Sequence, residues 1–314
     1  MPPHAHVHAS GLGRVRALEL SPVWFLRVAL ASLAALWLIV ATGAAVRLTD
    51  SGLGCRHWPG CEAGHPLPAK DYHAYIEFGN RLVGGVTILL TLVAAVGAAR
   101  TPLLGRAPRR LALAIFLGTL AQAPLGYLAV KSDLRWPVVM AHLLLSMLLV
   151  AGAVLLALEA YALRAGRVET IVPREVRRLG LAFAATGLAL LVSGAFATAA
   201  GPHSGGGGHI QRFGRLEPMV YVHASVVAVF GCTFLFLLGY LAARRDRSPR
   251  LFAFGIALLG LLLVQGGLGE LQYHLHLPWW LVLAHVAVAA SVWAAVVAFV
   301  ATLWRPTAVF AART

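Results

Sequence analysis

The chain has 314 residues, 59% hydrophobic and 12% charged, a mean hydropathy of +0.78 and a formal net charge of +14. Soluble domains carry about 45–50% apolar and about 25% charged residues. The composition therefore excludes a soluble globular enzyme, a disordered protein and, despite the charge, a nucleic-acid binder. It is that of a polytopic membrane protein.

A helix needs about 20 apolar residues to cross the hydrocarbon layer. Apolar runs predict eight such spans, near 23–46, 82–99, 111–130, 138–163, 179–200, 218–242, 251–270 and 280–304. The first is too long for the h-region of a secretory signal and is followed as well as preceded by positive charge, so it is expected to be a retained anchor. The second is the shortest and emerges from a polar stretch. An all-α fold follows, with tails at 1–22 and 305–314.

The arginine distribution predicts the orientation. With the N-terminus inside, the inner segments hold 17 Lys and Arg and the outer segments eight, Arg27 lying within the first span. Positive loops stay on the cytoplasmic side, so both termini are expected there and the plasma membrane is the expected location. The basic balance reports topology rather than an acidic partner.

A shift of 143 residues superimposes several features. Gln122 falls on Gln265, Leu125-Gly126 on Leu268-Gly269, Trp136 on Trp279, His142 on His285 and Asn80 on His223. Such an internal repeat predicts two pseudo-symmetric four-helix bundles, 23–163 and 179–304, joined by a basic cytoplasmic linker at 164–178. With four helices in each half, the halves keep one orientation, and the relating axis runs along the membrane normal.

Ionisable residues within spans are costly and tend to face a bundle interior for a purpose. His142, His223 and His285 each lie about five residues, roughly 7 Å, inward from the outer ends of the fourth, sixth and eighth spans. His223 and His285 belong to one half, where two imidazoles form a natural clamp for a haem iron. Zinc fits less well, because no further Cys, Asp or Glu ligand lies nearby on those helices. The bland alternative is a histidine hydrogen-bonded across a helix interface.

The outer segment before the second span holds Cys55 and Cys61, too widely spaced for a zinc knuckle. On an oxidising face a disulfide is expected, either a loop staple or a redox-active pair. Cys232, within the sixth span, behaves as a small apolar residue. Glu77, Asn80 and Arg81 share one helical face. They form either an interfacial ion pair at a helix start, or a site where Arg81 meets a carboxylate such as a haem propionate and Glu77 handles protons. Of the remaining features, His4, His6 and His8 lie in a loose tail. Gly205–Gly208, flanked by His203 and His209, make a flexible outer loop or a lid at a haem edge. Glu270 and Gln272 are interfacial, and Trp279 and Trp280 are belt residues.

The run from Gly43 to Cys55, Trp58-Pro59 and Cys61, the Glu77/Arg81 helix start, Gly201–Gly205 and the histidines of the fourth, sixth and eighth spans together resemble the haem A synthase family. The resemblance covers roughly 23–304. It implies an eight-helix membrane oxidoreductase that oxidises a methyl group of haem O to the formyl group of haem A for terminal-oxidase assembly. It also implies a resident b-type haem on His223 and His285, a substrate-haem site on His142, and a catalytic Glu77. Where the family often has Glu-x-x-His-Arg, this chain has Glu77-Phe78-Gly79-Asn80-Arg81, so the first-half haem is expected to have at most one protein imidazole, from His142, unless a loop histidine such as His57 or His73 supplies another, with Asn80 opposite and Arg81 near a propionate. Haem O, the synthase that makes it as a candidate source, an unidentified electron donor and membrane lipid are the expected partners. Self-association is left open. The rival readings are a two-haem electron-transfer cytochrome and a non-catalytic haem-handling protein.

Overall fold

The computed structural model describes residues 19–310, apart from 56, 59, 66, 69, 70, 171 and 207–209. His4, His6, His8 and His209 lie outside the described residues. Eight helices follow in order: α1 (Pro22–Leu48), α2 (Tyr72–Arg100), α3 (Arg106–Lys131), α4 (Trp136–Ala165), α5 (Arg174–Ala200), α6 (Leu216–Ala243), α7 (Pro249–His274) and α8 (Trp279–Trp304), then a 3-10 turn at Ala308–Phe310. All eight are long and apolar enough to cross a membrane. The chain is an all-α, multi-pass membrane protein.

Local chemistry sets the helix starts. Ser21 caps α1, accepting from the Trp24 N–H, with Pro22 supplying a preset φ at the first position. Asp71 caps α2 through the Ala74 N–H at 3.0 Å. That cap begins α2 ten residues before the expected 82, which corrects the predicted boundary. Hydropathy reports where a segment would sit in lipid, whereas a cap and backbone bonding decide where the helix starts. Likewise α4 runs to Ala165 and α5 begins at Arg174, so the connection is shorter than 164–178 and several of its arginines ride on helix ends.

Within residues 22–165, α1 packs on α2 and α4, and α3 packs on α2 and α4. In residues 174–304, α5 packs on α6 and α8, and α7 packs on α6 and α8. Among the described residues α2 does not touch α4, nor α6 α8, so each of these pairs occupies a diagonal. The seam between the groups is α8 against α1 and α4, with α4 against α5. Two indoles bond across it. Trp37 Nε1 donates to Ala287 O (3.1 Å) and Ser291 Oγ (3.0 Å), and Trp293 Nε1 donates to Met147 O (2.9 Å). A polar group at such depth needs a partner, because lipid offers none. Below the sites, Phe183 stacks on Phe230 and Phe234 at 4.6 and 5.3 Å, closing the second group with a solid aromatic core.

The turns α3–α4 and α7–α8 have one construction. Leu134 N–H donates to Ala129 O at 2.8 Å, and Leu277 N–H to Gln272 O at 2.7 Å. Asp133-Leu134 and His276-Leu277 all have φ between 51° and 61°, a left-handed conformation uncommon for leucine. These residues lie 143 positions apart.

Candidate functional site

The histidines lie one turn or more into their helices and at matching depths: seventh in α4, eighth in α6 and seventh in α8. In the second group, Ser193 Oγ on α5 lies 2.9 Å from His223 Nδ1, leaving Nε2 as the nitrogen for a ligand. A Cβ added to the neighbouring Gly194 would stand 3.1 Å from His223 Cε1, so glycine lets the imidazole lie against the α5 backbone. The Gln265 amide nitrogen lies 3.2 and 3.1 Å from the two ring nitrogens of His285 and donates to its carbonyl at 3.2 Å. Gly269 gives the same clearance, 3.3 Å to His285 Cε1. His223 and His285 stand on the diagonal helices α6 and α8, seven and six residues in from the helix starts.

The first group repeats the framework with different functional groups. Gln122 Nε2 donates to His142 O at 3.1 Å and to Ser146 Oγ at 2.7 Å. A Cβ at Gly126 would lie 3.6 Å from His142 Cε1. His142 Nδ1 is buried without a hydrogen-bond partner, as are Gln122 Oε1 and its counterpart Gln265 Oε1. At the other end of this diagonal, on α2, Asn80 Oδ1 accepts from Thr42 Oγ1 at 2.8 Å. Thr42-Gly43 thus stands to Asn80 as Ser193-Gly194 stands to His223. The sequence carries this hydroxyl–glycine pair in both halves, but a uniform shift of 143 misses it, because the α1–α2 connection is longer than the α5–α6 connection.

Glu77, Arg81 and the cysteines form one assembly at the outer mouth. Cys55 and Cys61 are disulfide-bonded, with Cα atoms 4.4 Å apart. Glu77, only 4% exposed, accepts the Cys55 backbone N–H on Oε2 at 2.7 Å and pairs with Arg81 through Oε1. Arg81 also donates to His57 O at 2.7 Å and to Gly60 O. The ion pair therefore ties the disulfide loop to the first turns of α2. His73, another loop histidine, has Nδ1 3.0 Å from Ser51 Oγ. Cys232 is a free, exposed thiol on α6, and Trp279 and Trp280 are exposed at the start of α8.

The Gly201–Gly205 segment clasps the first group. Arg47 donates from Nη2 to Thr198 O (2.7 Å) and from Nε to His203 O (3.0 Å). Arg212 donates to the same Thr198 carbonyl (3.1 Å) and to Gly201 O. Burial lowers the Arg212 pKa, against the opposing pull of Asp50. Asp50 in turn accepts the Gly205 N–H at 3.1 Å, and Gly52 N–H donates to Gly205 O at 2.7 Å. The two arginines add charged donors to carbonyls at and just beyond the C-terminus of α5, where Thr198 O also accepts the Gly201 N–H. Single-sequence reading missed the Arg47 role, since its partners lie more than 150 residues away along the chain.

Residues 26–297 match the COX15-CtaA family, described as cytochrome oxidase assembly protein. A heme A synthase of Shewanella oneidensis is 28% identical over 332 residues, covering 90% of this chain and 96% of that protein. Heme A synthases of Symbiobacterium thermophilum and Bacillus pumilus are 39% and 31% identical over 104 and 142 residues, covering 33% and 44% of this chain and 34% and 46% of theirs. With eight membrane-spanning helices and paired diagonal sites inside the matched region, the chain belongs to the COX15-CtaA family.

Proposed function

We propose that this chain is a haem A synthase, an oxidoreductase that converts a methyl group of haem O to the formyl group of haem A for cytochrome oxidase assembly. The observation that carries the reading is the paired arrangement of His223 and His285, beside a similarly framed site that keeps one imidazole, His142. Half-buried imidazoles on diagonal helices would suit an iron-centred ligand such as haem. The orphaned His142 Nδ1 and the glycine-backed rings support that fit. When bound, haem supplies the redox chemistry at iron, and the protein supplies ligands, orientation and electrostatics.

In this reading His223 and His285 would hold a resident b-type haem, which would supply electron-transfer chemistry there, and Ser193 fixes the tautomer of His223. His142 orients the substrate haem. Asn80, its amide oxygen engaged by Thr42, leaves the facing position without an imidazole. Glu77 handles protons at the outer rim, while Arg81 pairs with it and holds the disulfide loop in place. The matched turns at Leu134 and Leu277 and the matched Gln–His contacts support two pseudo-symmetric halves, 23–163 and 179–304. The arginine bias supports cytoplasmic termini and a plasma-membrane location.

Co-expression with a source of haem O, followed by pigment extraction, tests the assignment. Haem A is expected from the native chain. Bound b-type haem without conversion would instead indicate an electron-transfer cytochrome, and recovery of haem O alone a haem-handling protein.

A further inference from the structure

At the membrane edge opposite the histidine sites, Arg174, Arg177, Arg178 and Trp304 line an open cleft of about 370 Å³ where α5 begins and α8 ends. We propose that this cleft binds the phosphate of an anionic phospholipid headgroup.

The charges there are unspent. Nearby Arg167 and Arg305 share Glu159 at 2.7 and 3.0 Å. Among the described residues, Arg174, Arg177 and Arg178 make no ion pair. Arg177 is held in place: its guanidinium lies 4.9 Å from the Trp304 ring centroid, and Trp304 Nε1 donates to its carbonyl at 3.1 Å. Its Nε is buried without a partner, so a donor is already desolvated at the cleft. α5 has no side-chain cap at its start, which leaves first-turn N–H groups and the positive end of the helix dipole facing the same space.

An apolar track distinguishes a lipid from a free anion. Arg174 and Arg178 continue down α5 along the 3.6-residue period into Leu181, Ala185 and Leu188. Leu181 is 51% and Leu188 40% exposed. Cationic side chains at the rim, an indole at headgroup level and bare aliphatic surface beneath match an amphiphile with a phosphate head. Basic clefts at helix ends on the arginine-rich side of a membrane protein recognise such heads.

The test uses the purified full chain in neutral detergent, with native mass spectrometry of retained lipid. Phosphatidylglycerol should be retained in preference to phosphatidylcholine, and millimolar inorganic phosphate should fail to displace it. Replacing Arg174 and Arg178 together with Gln should weaken phosphatidylglycerol retention by about thirty-fold. The Arg245→Gln/Arg247→Gln pair, on exposed arginines of another loop, should leave it unchanged. Equal retention of both lipids by the native chain would overturn the proposal whatever the variants do. So would equal losses in the two double variants, or none in the first. Displacement by inorganic phosphate would show a free-anion site instead.

Discussion

The two halves share a framework and differ in the groups mounted on it. In both, a hydroxyl–glycine pair on the first helix backs the key residue of the second, and a glutamine on the third contacts the histidine of the fourth. The second half presents His223 and His285. The first presents Asn80 and His142, with Glu77, Arg81 and the Cys55–Cys61 loop at its mouth. At the matching positions of α6, Glu77 and Arg81 are replaced by Val220 and Ala224. A site closed by two imidazoles suits storing and passing electrons. One with a single imidazole and ionisable rim groups suits a substrate that must react and leave. The difference teaches that one shared framework carries different groups at a few positions, all near the same ends of their helices.

The sharpest break is to remove an imidazole from the closed half. His223→Ala or His285→Ala is expected to abolish the low-spin b-type haem spectrum of the purified protein. If both variants keep that spectrum, the assignment of these ligands fails.

Next comes converting the open half into a copy of the closed one. Asn80→His should turn the first-half haem low-spin and suppress its binding of carbon monoxide, leaving the second-half haem unchanged. A native first-half haem already showing a bis-imidazole spectrum would remove the proposed distinction between the halves.

Glu77→Gln keeps shape and hydrogen-bonding capacity but loses the charge. Haem A yield should fall about 10²-fold or more if the carboxylate carries a proton in the reaction, with second-half haem retained. The lost charge-assisted bonds should also cost about 1.5–3 kcal/mol locally, read as faster hydrogen exchange at the Cys55 amide. Unchanged conversion with faster exchange would reduce Glu77 to a loop anchor.

The smallest expected effect is that of Ser193→Ala, which leaves both imidazoles in place. Loss of the hydroxyl beside His223 Nδ1 should weaken second-half haem binding by about tenfold, measured by competition with a haem acceptor. Thr42→Ala, its first-half counterpart, should leave that affinity unchanged. Equal losses would mean that the two hydroxyls act through global stability.

The eight spans, the depth of the histidines and the 143-residue repeat were legible without coordinates. Each depends on local or periodic properties: apolar length against membrane thickness, residues counted from a helix end, and identity at one offset. The start of α2 was not, because Asp71 caps a polar first turn that hydropathy assigns to water. The Thr42-Gly43 match was hidden by unequal connections between helices.

What the amino-acid order determined by itself is the all-helical membrane class and the positions of the histidines, since burying backbone polar groups in lipid leaves few alternatives to helices. Tertiary structure decided which groups the charged side chains meet. Arg81 turns to Glu77 and to the carbonyls of His57 and Gly60, and Arg47 reaches Thr198 and His203, over 150 residues away. Helix packing places these carbonyls within reach of the guanidinium groups. A long flexible side chain in a low-dielectric setting then settles on the acceptors that packing brings near, whatever their distance along the chain.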